Sequence, residues 1–153
     1  MLQLKPVAYV KNNRTEVADD FWGGVVSEII LTDEFTEESL MGIQEYSHLE
    51  IIFYFDQVGD SKIQKNARHP RNNPEYPKVG IFSQRGKNRP NKLGLTTVRL
   101  LKKEGIALTV QGLDAVDGTP VLDIKPVMKE FMPKEEIIQP FWSIELMKDY
   151  WKK

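Results

Sequence analysis

The chain has 153 residues, 41% hydrophobic and 28% charged, which suits one folded domain over residues 1–153 with a single core. It has no cysteine and two histidines, His48 and His69, which excludes a disulfide framework, a thiolate metal site and a histidine-rich metal site; no metal is expected. The net charge of -1 conceals an asymmetry: residues 15–60 hold twelve Asp or Glu and no Lys or Arg, whereas residues 62–92 hold nine Lys or Arg and one acid, Glu75. Such a basic block either attracts an anionic partner such as RNA or forms a solvated loop that balances the acidic half. The N-terminus lacks the charged start and long apolar run of a signal peptide, and no apolar run is long enough to span a membrane. A cytoplasmic protein without a membrane partner is expected.

The elements follow in chain order. Residues 5–10 predict a first strand, and Gly23-Gly24 opens a β-branched run ending at Leu31. Thr36 followed by Glu37 and Glu38 predicts a capped helix start, with Leu40 and Ile43 as its apolar face. Residues 49–55 are too apolar for a surface strand and predict a central one. Residues 58–78 form a long polar loop, residues 79–82 a short strand and residues 83–92 a second loop. Residues 96–101 and 106–113 alternate as neighbouring strands joined by a turn at Lys103-Glu104-Gly105, and residues 121–124 form another strand. Residues 144–151 predict a terminal helix that turns Leu146, Met147 and Trp151 inward. Many short strands without alternating long helices predict a mainly β fold, a small, mostly antiparallel β-barrel with one or two short helices.

Two segments carry chemistry. The first, residues 80–95, ends a strand, presents Arg85, Arg89, Asn88 and Asn91 on a loop and enters the next strand through Leu93-Gly94-Leu95. Loop arginines and asparagines supply donors for carboxylates, phosphates or base edges, although a plain polar hairpin loop would look similar. The second, residues 112–126, sets Asp114, Asp117, Asp123 and Lys125 at the ends of apolar strands. Carboxylates there suit ribose hydroxyls or cationic ligand groups; turn chemistry accounts for Asp114 and Asp117 equally well, and less well for Asp123 and Lys125. Glycine-rich phosphate loops, paired-histidine metal motifs and nucleophile elbows are absent.

These two segments resemble the TsaA-like family, also called TrmO, of S-adenosylmethionine-dependent tRNA methyltransferases. The matching residues are Gly80, Phe82, Arg85, Arg89-Pro90-Asn91 and Gly94-Leu95, then Asp114, Asp117-Gly118-Thr119-Pro120-Val121 and Asp123-Ile124-Lys125-Pro126. A third match is Tyr46-Ser47-His48-Leu49 leading into Phe53-Tyr54-Phe55-Asp56-Gln57. The matches run in family order over residues 42–127. The resemblance implies a β-barrel methyltransferase that works as a homodimer, with S-adenosylmethionine bound close to the subunit interface. Cofactor contacts carry over to Gln57, Arg85, Leu95 and the run Asp114, Ala115, Val116 and Asp117, while Asp56 stands where the family has histidine. The implied substrate is threonylcarbamoyladenosine beside the tRNA anticodon, methylated on N6.

The chain departs from the family at three places. The family's N-terminal P-R-Q motif is replaced by Asn12-Asn13-Arg14-Thr15 and Asp19-Asp20-Phe21-Trp22-Gly23. Either Arg14 or Trp22 substitutes for it, Trp22 by stacking on adenine, or Phe21 and Trp22 belong to the core. The loop reads Arg85-Gly86-Lys87-Asn88-Arg89 where the family has R-S-x-x-R. Val127 replaces a tyrosine after Lys125-Pro126, and the extra C-terminal domain of some bacterial members is not expected. On this reading Asp114, Asp117 and Arg85 hold the cofactor, and Arg89, Asn91 and the basic loop with Arg68 and Arg71 position an anionic substrate. Asp123 and Lys125 are candidates for substrate orientation or proton removal, or else form a structural ion pair. Two rival functions remain: a small-metabolite methyltransferase of the same chemistry, and a non-catalytic RNA-binding protein on the same fold.

Overall fold

A computed structural model describes all residues, 1–153. Its strands are β1 (Ala8–Lys11), β2 (Val26–Leu31), β3 (His48–Tyr54), β4 (Ala67–Arg68), β5 (Val79–Gly80), β6 (Leu93–Glu104), β7 (Ala107–Gln111) and β8 (Pro120–Pro126), followed by one helix, α1 (Phe141–Leu146). Six strands close an antiparallel barrel in the order β1-β2-β7-β6-β3-β8, and β4 pairs with β5 outside it. The mainly β barrel expected from the sequence is what forms. No helix is long and apolar enough to cross a membrane.

Alternation builds the core. On β3, Leu49, Ile51 and Phe53 point inward, while Glu50, Ile52 and Tyr54 stay half-exposed. β3 lies between β6 and β8, as its apolar content predicts. The register sets Phe53 against Gly94, Ile51 against Thr96 and Leu49 against Val98. A Cβ on Gly94 would lie 2.5 Å from the Phe53 ring, so the ring occupies the space a side chain would need. Bulges at Leu122 of β8, opposite Ile52 and Phe53, and at Leu101 of β6 bend those two strands, which helps the sheet to close. β6 and β7 form the expected hairpin, turning at Gly105 with φ +60°.

Three expectations change. The segment after Thr36 is capped as predicted, with Thr36 Oγ1 accepting from the Glu38 amide at 3.3 Å, but it is a 3-10 turn over Glu37–Leu40. Gly42, at φ +85°, cuts it off before an α-turn can repeat. The strand expected over residues 79–82 stops at Gly80 and becomes a 3-10 turn that buries Ile81 and exposes Phe82. The terminal helix starts earlier and ends earlier than predicted. After it, the Asp149 and Tyr150 carbonyls accept from the Phe21 and Trp22 amides at 3.2 and 2.8 Å. That pairing turns Trp151 outward, 45% exposed, and leaves Trp142 and Tyr150 as the half-buried aromatics.

Candidate functional site

The run after β7 continues along β6 beyond the Arg99–Gln111 pair, which brings Asp114 to Thr96. Leu113, Ala115 and Val116 are buried, and Asp114 between them is half-exposed. Gly112, at φ +88°, ends β7 and begins this run. The Asp114 carboxylate is held from two sides: Thr96 Oγ1 donates to Oδ1, and the Tyr150 hydroxyl donates to Oδ2. Thr96 is a hydroxyl on the inward face of β6, in line with Gly94 and Val98. Burial first, then the charge of Asp114, raises the Tyr150 phenol well above its usual value. It therefore stays protonated and donating at every pH the fold would meet.

One residue before Thr96, the Leu95 carbonyl accepts from Arg85 Nη2 at 2.6 Å. The geometry thus joins Arg85, Leu95 and Asp114 through adjacent residues of β6. Arg85 and Leu95 are exposed, and Arg85 forms no salt bridge; its one hydrogen bond is the one to the Leu95 carbonyl. Asp56 and Gln57 occupy the exposed turn after β3, which is tied to β6 by the Phe55 amide on the Lys92 carbonyl at 2.9 Å. Ala115 and Val116 are buried, and their carbonyls already accept from Asn12 Nδ2 and from Thr119, so neither presents the open contact expected of it.

Asp117 has a different task from Asp114. Its Oδ1 accepts from the Asn12 amide at 3.0 Å, its own amide donates to the Arg14 carbonyl at 2.7 Å, and Gly118 follows at φ +84°. Asn12 Nδ2 adds bonds to the Ala115 carbonyl and Ser27 Oγ, both at 2.9 Å. The turn chemistry foreseen for the Asp-Gly pair is realised as a clamp on the N-terminal segment. Arg14 lies 3.9 Å over the Trp22 ring and donates to the Phe21 and Asp20 carbonyls. Trp22, 3% exposed, is a core residue under Arg14 with no free face for an adenine, whereas Phe21 is exposed and outside the core. Phe21 also holds φ +69°, a costly conformation for an aromatic residue, fixed by the C-terminal pairing.

The arginines and the asparagine expected to meet substrate are largely occupied. Arg89 donates to the Gln84 carbonyl at 2.7 Å and the Gly86 carbonyl at 3.3 Å, which shapes the Arg85 loop from beneath. Arg71 makes a two-point contact with Asp20 at 2.9 and 3.3 Å. Arg68 donates to Asn72 at 2.7 Å. Asn91, at φ +64°, serves the turn into β6. Asp123 and Lys125 pair with each other at 3.0 Å on β8, both substantially exposed. The ion pair foreseen as the structural alternative is present, and no bond links it to Asp114. An open polar groove of about 480 Å³ beside Lys11, Glu28, Lys102 and Glu104 includes neither Arg85 nor Asp114.

Sequence reasoning missed Thr96 and Tyr150. A hydroxyl on the buried face of β6 was a visible signal for Thr96. Tyr150 lies beyond every motif, so nothing local marked it.

Comparison with known proteins points the same way as the geometry. The family described as tRNA-methyltransferase O N-terminal domain matches residues 10–132. A human tRNA (adenine(37)-N6)-methyltransferase is 40% identical over 110 residues, covering 72% of this chain and 24% of that protein. A probable S-adenosyl-L-methionine-binding protein of Pyrococcus abyssi is 38% identical, covering 65% of this chain and 52% of that one. The crystal structure of TrmO from Pseudomonas aeruginosa superposes with a TM-score of 0.75 at 26% identity, covering 93% of this chain and 62% of that chain. This chain therefore spans only part of the length of these relatives. With the barrel in place, three motifs in order and a family match over residues 10–132, the chain belongs to the TrmO family.

Proposed function

We propose that this protein binds S-adenosylmethionine beside Arg85, Leu95 and Asp114 and methylates N6 of a modified adenosine next to the tRNA anticodon. The observation that carries the reading is the Asp114 carboxylate, fixed by Thr96 and Tyr150 beside an exposed, unpaired Arg85. The donor set fits the cofactor. Arg85 suits its carboxylate, the exposed Leu95 gives an apolar surface for a ring, and Asp114 keeps acceptor capacity for ribose hydroxyls or an ammonium group. When bound, S-adenosylmethionine supplies an electrophilic methyl on a sulfonium. The chain's own residues would align that methyl with the acceptor nitrogen, and alignment alone is worth about 7–11 kcal/mol. The acceptor must also lose a proton. Asp56 and Gln57 are exposed and free on the adjoining turn, and Asp123 remains a candidate base.

A homodimer accords with the exposed apolar side chains Phe82, Leu93 and Leu95 around Arg85. A cytoplasmic site accords with the substrate, and the return of the C-terminal turns to the N-terminal segment supports one unit over residues 1–153. The human, mouse and Escherichia coli relatives carry the name tRNA (adenine(37)-N6)-methyltransferase.

The test is transfer of labelled methyl to tRNA from a strain lacking this protein, with nucleosides read by mass spectrometry. Since Arg68, Arg71 and Arg89 are engaged internally, the exposed lysines of the basic block without an ion pair, Lys62, Lys65 and Lys78, are the cations to test against phosphates. Changing these three to glutamate should weaken tRNA binding by at least about tenfold at moderate salt and flatten its salt dependence, each lost phosphate contact removing about 0.7–0.9 from the slope. Methyl transfer to every tRNA failing, or turnover insensitive to salt, would sink the tRNA reading.

A further inference from the structure

Beyond residue 132, where the family match ends, the chain leaves the barrel, and residues 128–141 are exposed along their whole length. It then comes back to the Asp114 site. Two backbone bonds, from Phe21 to Asp149 and from Trp22 to Tyr150, lay the returning turns on the N-terminal segment. Trp142 meets Tyr76 of the basic loop with ring centroids 6.3 Å apart. Gly23 makes the seat possible, because a Cβ there would lie 1.9 Å from the Trp151 carbonyl oxygen. Its neighbour Gly24 faces the Lys153 side chain at 3.3 Å. The glycine pair that precedes β2 is thus the floor of a docking site for the chain's own end.

The product of this return is one directed bond. A segment serving only as a cap would need ring packing and would leave its hydroxyl in water. Tyr150 instead turns its hydroxyl onto Asp114, opposite Thr96, with the Arg71 and Arg85 charges close enough to influence it. A carboxylate held by two donors loses rotational freedom before a ligand arrives, which is how preorganisation raises affinity.

Resting on the cofactor reading above, we infer that Tyr150 is a positioning residue of the methyl-transfer site. It orients Asp114 toward the cofactor, and the C-terminal segment is the part of the chain that delivers it, seated through Gly23.

Calorimetry on the full chain with S-adenosylhomocysteine, the demethylated product, tests this. Tyr150→Phe keeps the ring and removes the hydroxyl; the expected result is a Kd raised about tenfold, with the circular dichroism spectrum retained. Gly23→Ala unseats the segment without touching Tyr150 and should raise Kd by a similar factor. The double variant should bind no worse than the weaker single, since both act through one bond. A purely structural cap would lower the melting midpoint and leave Kd unchanged. A Tyr150→Phe Kd within twofold of the wild type, or tighter, overturns the inference while the cofactor reading stands. No binding by the wild type removes the cofactor reading and the inference with it.

Discussion

Asp114→Ala is expected to lower kcat/KM for methyl transfer by about 100-fold, the largest loss from any single change at this site. The carboxylate is the one group contacted by both Thr96 on β6 and Tyr150 from the C-terminal turns. Its removal does two separable things. It takes away the acceptor facing the ligand, and it strands two hydroxyl donors in a half-buried place, each costing about 1–3 kcal/mol. Stability should therefore fall as well, and activity must be compared below the melting range of the variant. Asp114→Asn divides the two effects. The amide oxygen can still accept from Thr96 or from Tyr150 but not from both, and the negative charge is gone. Its stability should lie between those of the wild type and the alanine variant, while its activity should fall nearly as far as alanine's. An asparagine variant with full activity would show that the charge of Asp114 has no part in catalysis.

The barrel was legible because its strands obey the period-two rule. Leu49, Ile51 and Phe53 alternate cleanly, and the hairpin at Gly105 joins strands adjacent in sequence. Its closure was not legible. Ala8 meets Val121 across most of the chain, and no local pattern encodes a pairing that distant. At the site the motif residues were found but their tasks were not. Arg89, Arg71 and Arg68 read as open donors, because a sequence displays a guanidinium and hides the carbonyls that receive it. Here those are the Gln84 and Gly86 carbonyls for Arg89, while Asp20 and Asn72 take Arg71 and Arg68. Trp22 looked like an adenine platform until the Arg14 guanidinium covered one face and the core took the rest. The Ser47-His48-Leu49 motif is an entry into β3: Ser47 Oγ meets its neighbour's Nδ1 at 2.6 Å, and Leu49 is fully buried.

Stability should depend most on the meeting of β3 and β6 under Leu95. Phe53 is 1% exposed and stands edge-on to Phe55, with centroids 5.3 Å apart. Phe53→Ala should cost about 3–5 kcal/mol, read from the urea midpoint at constant slope. Against the about 5–15 kcal/mol of a typical domain, that leaves the barrel folded but marginal. Gly94→Ala damages the same spot in the opposite sense. Its new methyl would meet ring carbons at 2.5 and 2.6 Å, and overpacking of this kind costs about 1–3 kcal/mol. The two losses should not add. Once the ring is gone the methyl on residue 94 enters vacated space, and the double variant should be about as stable as Phe53→Ala alone, or slightly more so. Strictly additive losses would mean that β6 had already moved away from the ring in Gly94→Ala. That movement would carry Leu95 and Thr96 with it, so a cofactor Kd measured on the same variant should then rise.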